Sequence, residues 1–290
     1  MQIVYLVGAI LAIALQNALR KQYNTGGNST APEKKGTFIF SAVSCFAALV
    51  FFLISSGFKL TFVPELIPYA LGFAASYGTA VIFGFLAIKH GSLSLSSLIS
   101  SYSLIIPTVF GILFLGEKTT VTFYIGLAVL CISLFLINSK KSDDGIKITP
   151  KWILFVVLGF VGNGVCSAVQ ALQQRAFGGL YKSELMIIAL SAVVLTLLTI
   201  SFITERELIL PSIKYGGIYM VSNGLSNGVC NLFIMLAVGL MNAALMYPLI
   251  SAGGIICTTL ISIFVYKEKF TTKQYVAFAF GILAVILLNV

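Results

Sequence analysis

The sequence predicts an all-α membrane protein with ten transmembrane helices arranged as two inverted five-helix repeats. Three observations carry that prediction. All 27 Asp, Glu, Lys and Arg residues fall outside ten uncharged windows, at 1–19, 36–58, 66–88, 91–116, 119–139, 152–174, 185–204, 215–238, 243–266 and 274–290. A Glu-Lys pair follows the fourth window and returns after the ninth, as Glu117-Lys118 and Glu268-Lys269. Between the two copies runs the polar stretch Ser139-Lys140-Lys141-Ser142-Asp143-Asp144-Gly145. Each window approaches the ~20 residues that carry a helix across ~30 Å of hydrocarbon. Charge is kept out of them because a central charge in lipid costs at least ~2.5–3.5 kcal/mol. With 9% charged residues the chain also lies far below the ~25% of a soluble domain.

Taken in order, the first window has the apolar body of a signal peptide but no basic segment before it, so it is retained as a helix. It places Gln16 and Asn17 near its Arg20-Lys21 end. The third window has Tyr77 at its middle, where a phenol can stack on a solute and donate one hydrogen bond. The fourth carries Ser94, Ser97 and Ser101 at spacings of 3 and 4, which suit close helix packing as well as ligand contact. Pro107 farther along can free a backbone carbonyl.

The sixth window holds the strongest pattern, Asn163, Ser167, Gln170 and Gln174. Spacings of 4, 3 and 4 put all four on one helix face. The eighth repeats the device with Asn223, Asn227 and Asn231, and Ser226 lies close to the same face. The uncharged run from Lys214 to Lys267 must hold two helices, and it breaks at Gly239-Leu240-Met241-Asn242. The ninth window offers Tyr247-Pro248 and Ser251, with the proline near an end, where it can start a helix. Amides left unpaired in hydrocarbon are expensive, so these side chains face either a wet cavity or partners on neighbouring helices. The residues read as lining a solute site are Asn163, Ser167, Gln170, Asn223, Asn227, Tyr77, Ser97, Ser101 and Tyr247.

The repeat divides the chain into residues 1–139, a polar linker at 140–151, and residues 152–290. At an offset of 151, Glu117, Lys118, Thr120, Tyr124 and Asn138 meet the same residue types at 268, 269, 271, 275 and 289. At an offset of 150, Tyr69, Gly78 and Phe83 meet Tyr219, Gly228 and Phe233, and Tyr77 meets Asn227. Five crossings leave the chain on the opposite side, so the second copy is inserted upside down, a recurring plan of secondary transporters. With its ten helices, two repeats and Gly116-Glu117-Lys118 segment, the chain resembles the EamA-type members of the drug/metabolite transporter superfamily. That resemblance implies transport by alternating access with no bound cofactor. It also implies a central cavity lined mainly by helices 1, 3, 4, 6, 8 and 9.

The chemistry that is absent narrows the function. No window contains a lysine or arginine to clamp a phosphorylated solute, and none contains a carboxylate to exchange a proton. No nucleophile–base pair, metal-ligand cluster or phosphate-cradling glycine loop is present, which argues against an enzyme or an ATP-driven pump. The five cysteines all lie inside apolar windows and read as small core residues. Glu117, followed by Lys118, and Glu268, between Lys267 and Lys269, precede a helix and read as helix N-terminus stabilisers. His90 reads as interfacial. The expected partners are a small-molecule solute and membrane lipid, with no nucleic acid, and a homodimer is compatible with this reading. The expected function is secondary transport of a small neutral or zwitterionic, amino-acid-like metabolite across a bacterial-type plasma membrane. The rivals are a structural or accessory membrane subunit and a flippase for a lipid-linked headgroup.

Loop charge sets orientation. Loops after windows 1, 3, 5, 7 and 9 hold 14 of the 18 lysines and arginines, which places them in the cytoplasm and both termini outside. The resembled ten-helix family commonly has the opposite arrangement. A C-terminal reporter that is active only in the cytoplasm is therefore expected to be silent in cells; an active fusion reverses the topology.

Overall fold

The computed structural model describes residues 2–25, 35–90, 103, 105–138, 149–265 and 272–288. All regular structure among these residues is helical. The α-helices are α1 Gln2–Thr25, α2 Thr37–Ser55, α3 Ile67–His90, α4 Ile105–Phe114, α5 Val121–Asn138, α6 Pro150–Ala176, α7 Lys182–Thr204, α8 Ile209–Val238, α9 Ala243–Phe264 and α10 Thr272–Leu288. Short 3-10 turns at Pro64–Leu66 and Arg206–Leu208 precede α3 and α8. Among the described residues, each uncharged window coincides with one α-helix. Six of them (α1, α2, α3, α6, α7 and α8) are long and apolar enough to cross a membrane. Large apolar side chains such as Leu113, Ile203, Ile218 and Phe264 are exposed on the surface. Length and composition make the chain a membrane protein.

Most of the helix pairings survive exchange of the two halves, although α9–α10 has no comparable α4–α5 pairing among the described residues. Writing α6–α10 for α1–α5, the α3–α6 contact becomes α8–α1, α2–α8 becomes α7–α3, and α1–α9 becomes α6–α4. The pairs α2–α7, α4–α9 and α5–α10 map onto themselves. The largest apolar core lies among α2, α3 and α7, where Phe52, Phe73, Leu185, Met186, Leu190 and Leu197 are shut off from the surface.

Two glycines set how closely the central helices approach. A Cβ on Gly224 of α8 would lie 2.1 Å from the Ser44 carbonyl oxygen of α2. One on Gly162 of α6 would lie 2.7 Å from Ser76 O and Ala80 N of α3. At both crossings backbone meets backbone, and Ser44 Oγ also donates to Met220 O at 3.0 Å. Small residues at such crossings matter in lipid because helix association relies on close packing rather than on expelling water.

The helix limits differ from the windows where tertiary contacts intervene. The break at Gly239–Asn242 stands where the sequence places it, with Leu240 N and Met241 N both donating to Ala237 O. Pro248 does not start a helix; it is the sixth residue of α9, because the first turn of α9 is held by a carboxylate from elsewhere in the chain. The serine pair Ser97 and Ser101 and the acid Glu268 lie outside the described residues.

The crossings generate a stability test. Gly224→Ala overpacks backbone against backbone and is expected to destabilise by about 1–3 kcal/mol. Gly78→Ala, with nothing within 4 Å of the added Cβ, is expected to leave the melting temperature unchanged or higher. Thermal unfolding of the purified chain in detergent reads both. Equal responses would refute the close approach.

Candidate functional site

A chain of amides links α1, α6 and α8. Gln170 of α6 donates from Nε2 to Asn231 Oδ1 of α8 at 2.8 Å. Asn231 Nδ2 donates to the Asn227 carbonyl oxygen at 2.9 Å and to Asn227 Oδ1 at 3.1 Å. Asn227 Nδ2 donates to Gln16 Oε1 of α1 at 3.1 Å. One turn earlier on α8, Asn223 Nδ2 donates to the Gln16 carbonyl oxygen at 3.1 Å. The periodicities that put these residues on common faces therefore bring the α6 and α8 stripes into direct contact, with Gln16 as their terminus on α1. Gln16 has a role that its place near the Arg20-Lys21 end of the first window did not suggest.

The remaining α6 stripe touches other helices. Asn163 Nδ2 donates to Ser103 Oγ at 2.6 Å, and Ser103 is buried just ahead of α4. Tyr247 of α9, also buried, donates its hydroxyl to the Ser167 carbonyl oxygen at 2.7 Å. The Ser167 hydroxyl turns back to Asn163 O on its own helix. Gln173 and Gln174 are both buried; Gln173 Nε2 donates to Leu180 O at 3.0 Å, and Gln174 Nε2 donates to Gln173 Oε1. One face of α6 thus meets α4, α9 and α8 in succession. Tyr77 stands apart from this network. It stacks on Phe73 at 5.6 Å and packs against the α2–α3–α7 core, with its hydroxyl beside the Cys45 thiol. The sequence-aligned pair Tyr77 and Asn227 consequently faces different neighbours, α2 for the tyrosine and α1 for the asparagine.

A buried carboxylate closes each end of this region. At the end bearing the α8–α9 turn, Glu117 accepts from Ala243 N at 2.9 Å and Ala244 N at 2.7 Å. Arg175 at the end of α6 donates to the same carboxylate at 3.2 Å. Gly116 takes φ +66°, a left-handed turn natural to glycine, and thereby directs Glu117 back onto the bundle. Gly111 lacks the Cβ that would lie 2.5 Å from Glu117 Oε2. At the opposite end Glu205 accepts from Thr37 N, Phe38 N and Ile39 N at 3.0, 2.9 and 3.3 Å, and Ser212 Oγ accepts from Gly36 N at 2.8 Å. Glu117 acts as the helix N-terminus stabiliser that its position suggests, but the helix it holds is α9 rather than the adjacent α5. It is buried rather than lying at a solvated polar end. Glu205 was not singled out in the sequence, because Glu205-Arg206-Glu207 looks like an ordinary charged loop.

No family model and no curated protein sequence matches the chain. A solved crystal structure, described only as that of a protein, is similar with a TM-score of 0.80 at 12% identity, covering 99% of this chain and 98% of the other. At that identity the likeness speaks for the fold alone: the entire helical arrangement occurs in another protein.

Glu117→Ala is expected to destabilise the chain by about 3 kcal/mol, because it orphans two buried N–H groups in an apolar setting. Arg175→Gln removes only a half-exposed partner of that carboxylate and is expected to cost about 1 kcal/mol or less. Chemical denaturation of both variants checks the order. If Arg175→Gln proves the more damaging, the ion pair rather than the helix cap dominates this junction.

Proposed function

We propose that the chain is a secondary transporter of a small neutral or zwitterionic, amino-acid-like metabolite, resembling the EamA-type drug/metabolite transporters. In this reading all ten helices cross a bacterial-type plasma membrane as two inverted repeats, and rocking of one half against the other exposes a midplane site alternately. The observation that carries the proposal is the continuous amide chain Gln170–Asn231–Asn227–Gln16 running through apolar helices from both halves. Polar groups are costly at membrane depth and are retained there chiefly on solute paths. The helix pairing that survives exchange of halves supports the repeat. Carboxylate junctions at the two ends supply places where a path could close.

Interhelical bonding by Asn223 and Asn227 also favours a second reading, in which the amides only hold helices together in an accessory subunit. The two readings part on transport. In reconstituted vesicles offered a panel of labelled amino acids, the wild-type chain is expected to move at least one, and Asn227→Leu to cut that rate about tenfold. A chain that folds normally as wild type yet moves nothing on the panel supports the accessory reading. Uptake is expected to be insensitive to an imposed pH gradient, because no carboxylate lies within the windows to exchange a proton. Accumulation that follows the gradient and disappears in Glu117→Gln would contradict this.

A further inference from the structure

Backbone carbonyls fix the amide orientations here, and fixing them leaves two oxygens without partners, one of them enclosed. A carbonyl oxygen only accepts, so any amide atom bonded to one must be the nitrogen. Asn231 donates to Asn227 O, which turns Asn231 Oδ1 toward Gln170; Gln170 must answer with Nε2. Its own Oε1 then has no hydrogen-bond partner among the described residues. Gln173 donates to Leu180 O, which turns Gln173 Oε1 toward Gln174; Gln174 must answer with Nε2. Its Oε1 is enclosed and likewise unpartnered. Gln170 and Gln174 are 3% and 2% exposed and sit one turn apart on the same helix face. Enclosed polar oxygens are nearly always paired, so Gln174 Oε1, with the unpartnered Gln170 Oε1 one turn away, calls for an arriving partner.

The chemistry of that partner follows from what the oxygens can do. Both only accept, so the partner must bring N–H or O–H donors. Gln170 spends its amide N–H groups on Asn231 and Met186, and Gln174 spends one of its two on Gln173, so this face offers a carboxylate at most a single N–H. The neighbouring Arg175 is paired with Glu117, so its charge does not stand unopposed against a cation. We propose that Gln170 Oε1 and Gln174 Oε1 form the subsite for a protonated primary amino group of the solute. A primary ammonium offers three N–H donors on a small centre. This assignment rests on the transport reading and narrows its solute to one bearing an amine.

The test is a binding measurement on the full chain purified in detergent. Thermal stabilisation is titrated with n-butylammonium chloride, with tetramethylammonium chloride and sodium chloride at matched ionic strength, and with sodium butyrate. The expected result is stabilisation by n-butylammonium alone. Gln170→Leu and Gln174→Leu should each weaken it about tenfold or more. If the leucine variants do not fold, Gln174→Glu carries the test: it should tighten n-butylammonium more than it tightens tetramethylammonium, which has no N–H donor. Stabilisation by sodium chloride that Gln174→Leu abolishes would assign the oxygens to an inorganic cation and overturn the proposal. So would n-butylammonium binding that survives both leucine variants, or no response to it at all. Binding that behaves as expected in a chain that moves no amino acid would defeat the transport reading while leaving the subsite in place.

Discussion

The structure depends on helix N-termini that cannot cap themselves. The first N–H groups of any helix have no partner within it, and where burial shuts out water another group must supply one. Gly36 and Asn242, which precede α2 and α9, supply no side-chain cap. The deficit is met from far along the chain, by Glu205 for α2 and Glu117 for α9. Each carboxylate belongs to the opposite half from the helix it holds, and the two junctions sit at opposite ends of the bundle. Fixing those ends sets the register of α2 against α7 and α8, and of α9 against α4 and α6. Of the links in the amide chain, the one from Asn227 to Gln16 crosses the same boundary between halves, whereas Gln170–Asn231 joins two helices of the second half.

The parts of the fold legible in the sequence were those decided residue by residue. Exclusion of charge from apolar segments acts locally, so each window coincides with one of the α-helices among the described residues. Helix ends were less legible. α8 begins at Ile209 rather than 215, because the long apolar stem of Lys214 lets its ammonium reach outward from within a helix. Pro248 looked like a start signal because nothing nearby announces that Glu117, more than a hundred residues earlier, already caps the preceding turn.

The candidate site divides in the same way. Periodicity of 3.6 residues gave the two amide stripes, since it depends only on spacing. It could not say that the stripes meet each other, or that Gln16 receives both a side-chain and a backbone bond from α8. Those contacts depend on how far one helix slides along another, and here that is set by glycines such as Gly224 whose partners lie on distant segments. Tyr77 shows the hazard of symmetry arguments: its aligned position matches Asn227, yet its ring is taken up by Phe73 and the apolar core.

The reciprocal capping bears on the order in which the protein is made. Synthesis runs from the N-terminus, so α2 emerges while its cap, 168 residues downstream at Glu205, does not yet exist. The first five helices therefore leave the ribosome as an unfinished unit, with the N–H groups at the head of α2 waiting through the synthesis of α3 to α7. Glu117, in turn, waits buried-side-out for α9 to arrive. Neither half is a finished product on its own, and a nascent chain cut before residue 205 lacks the atoms that close its own second helix.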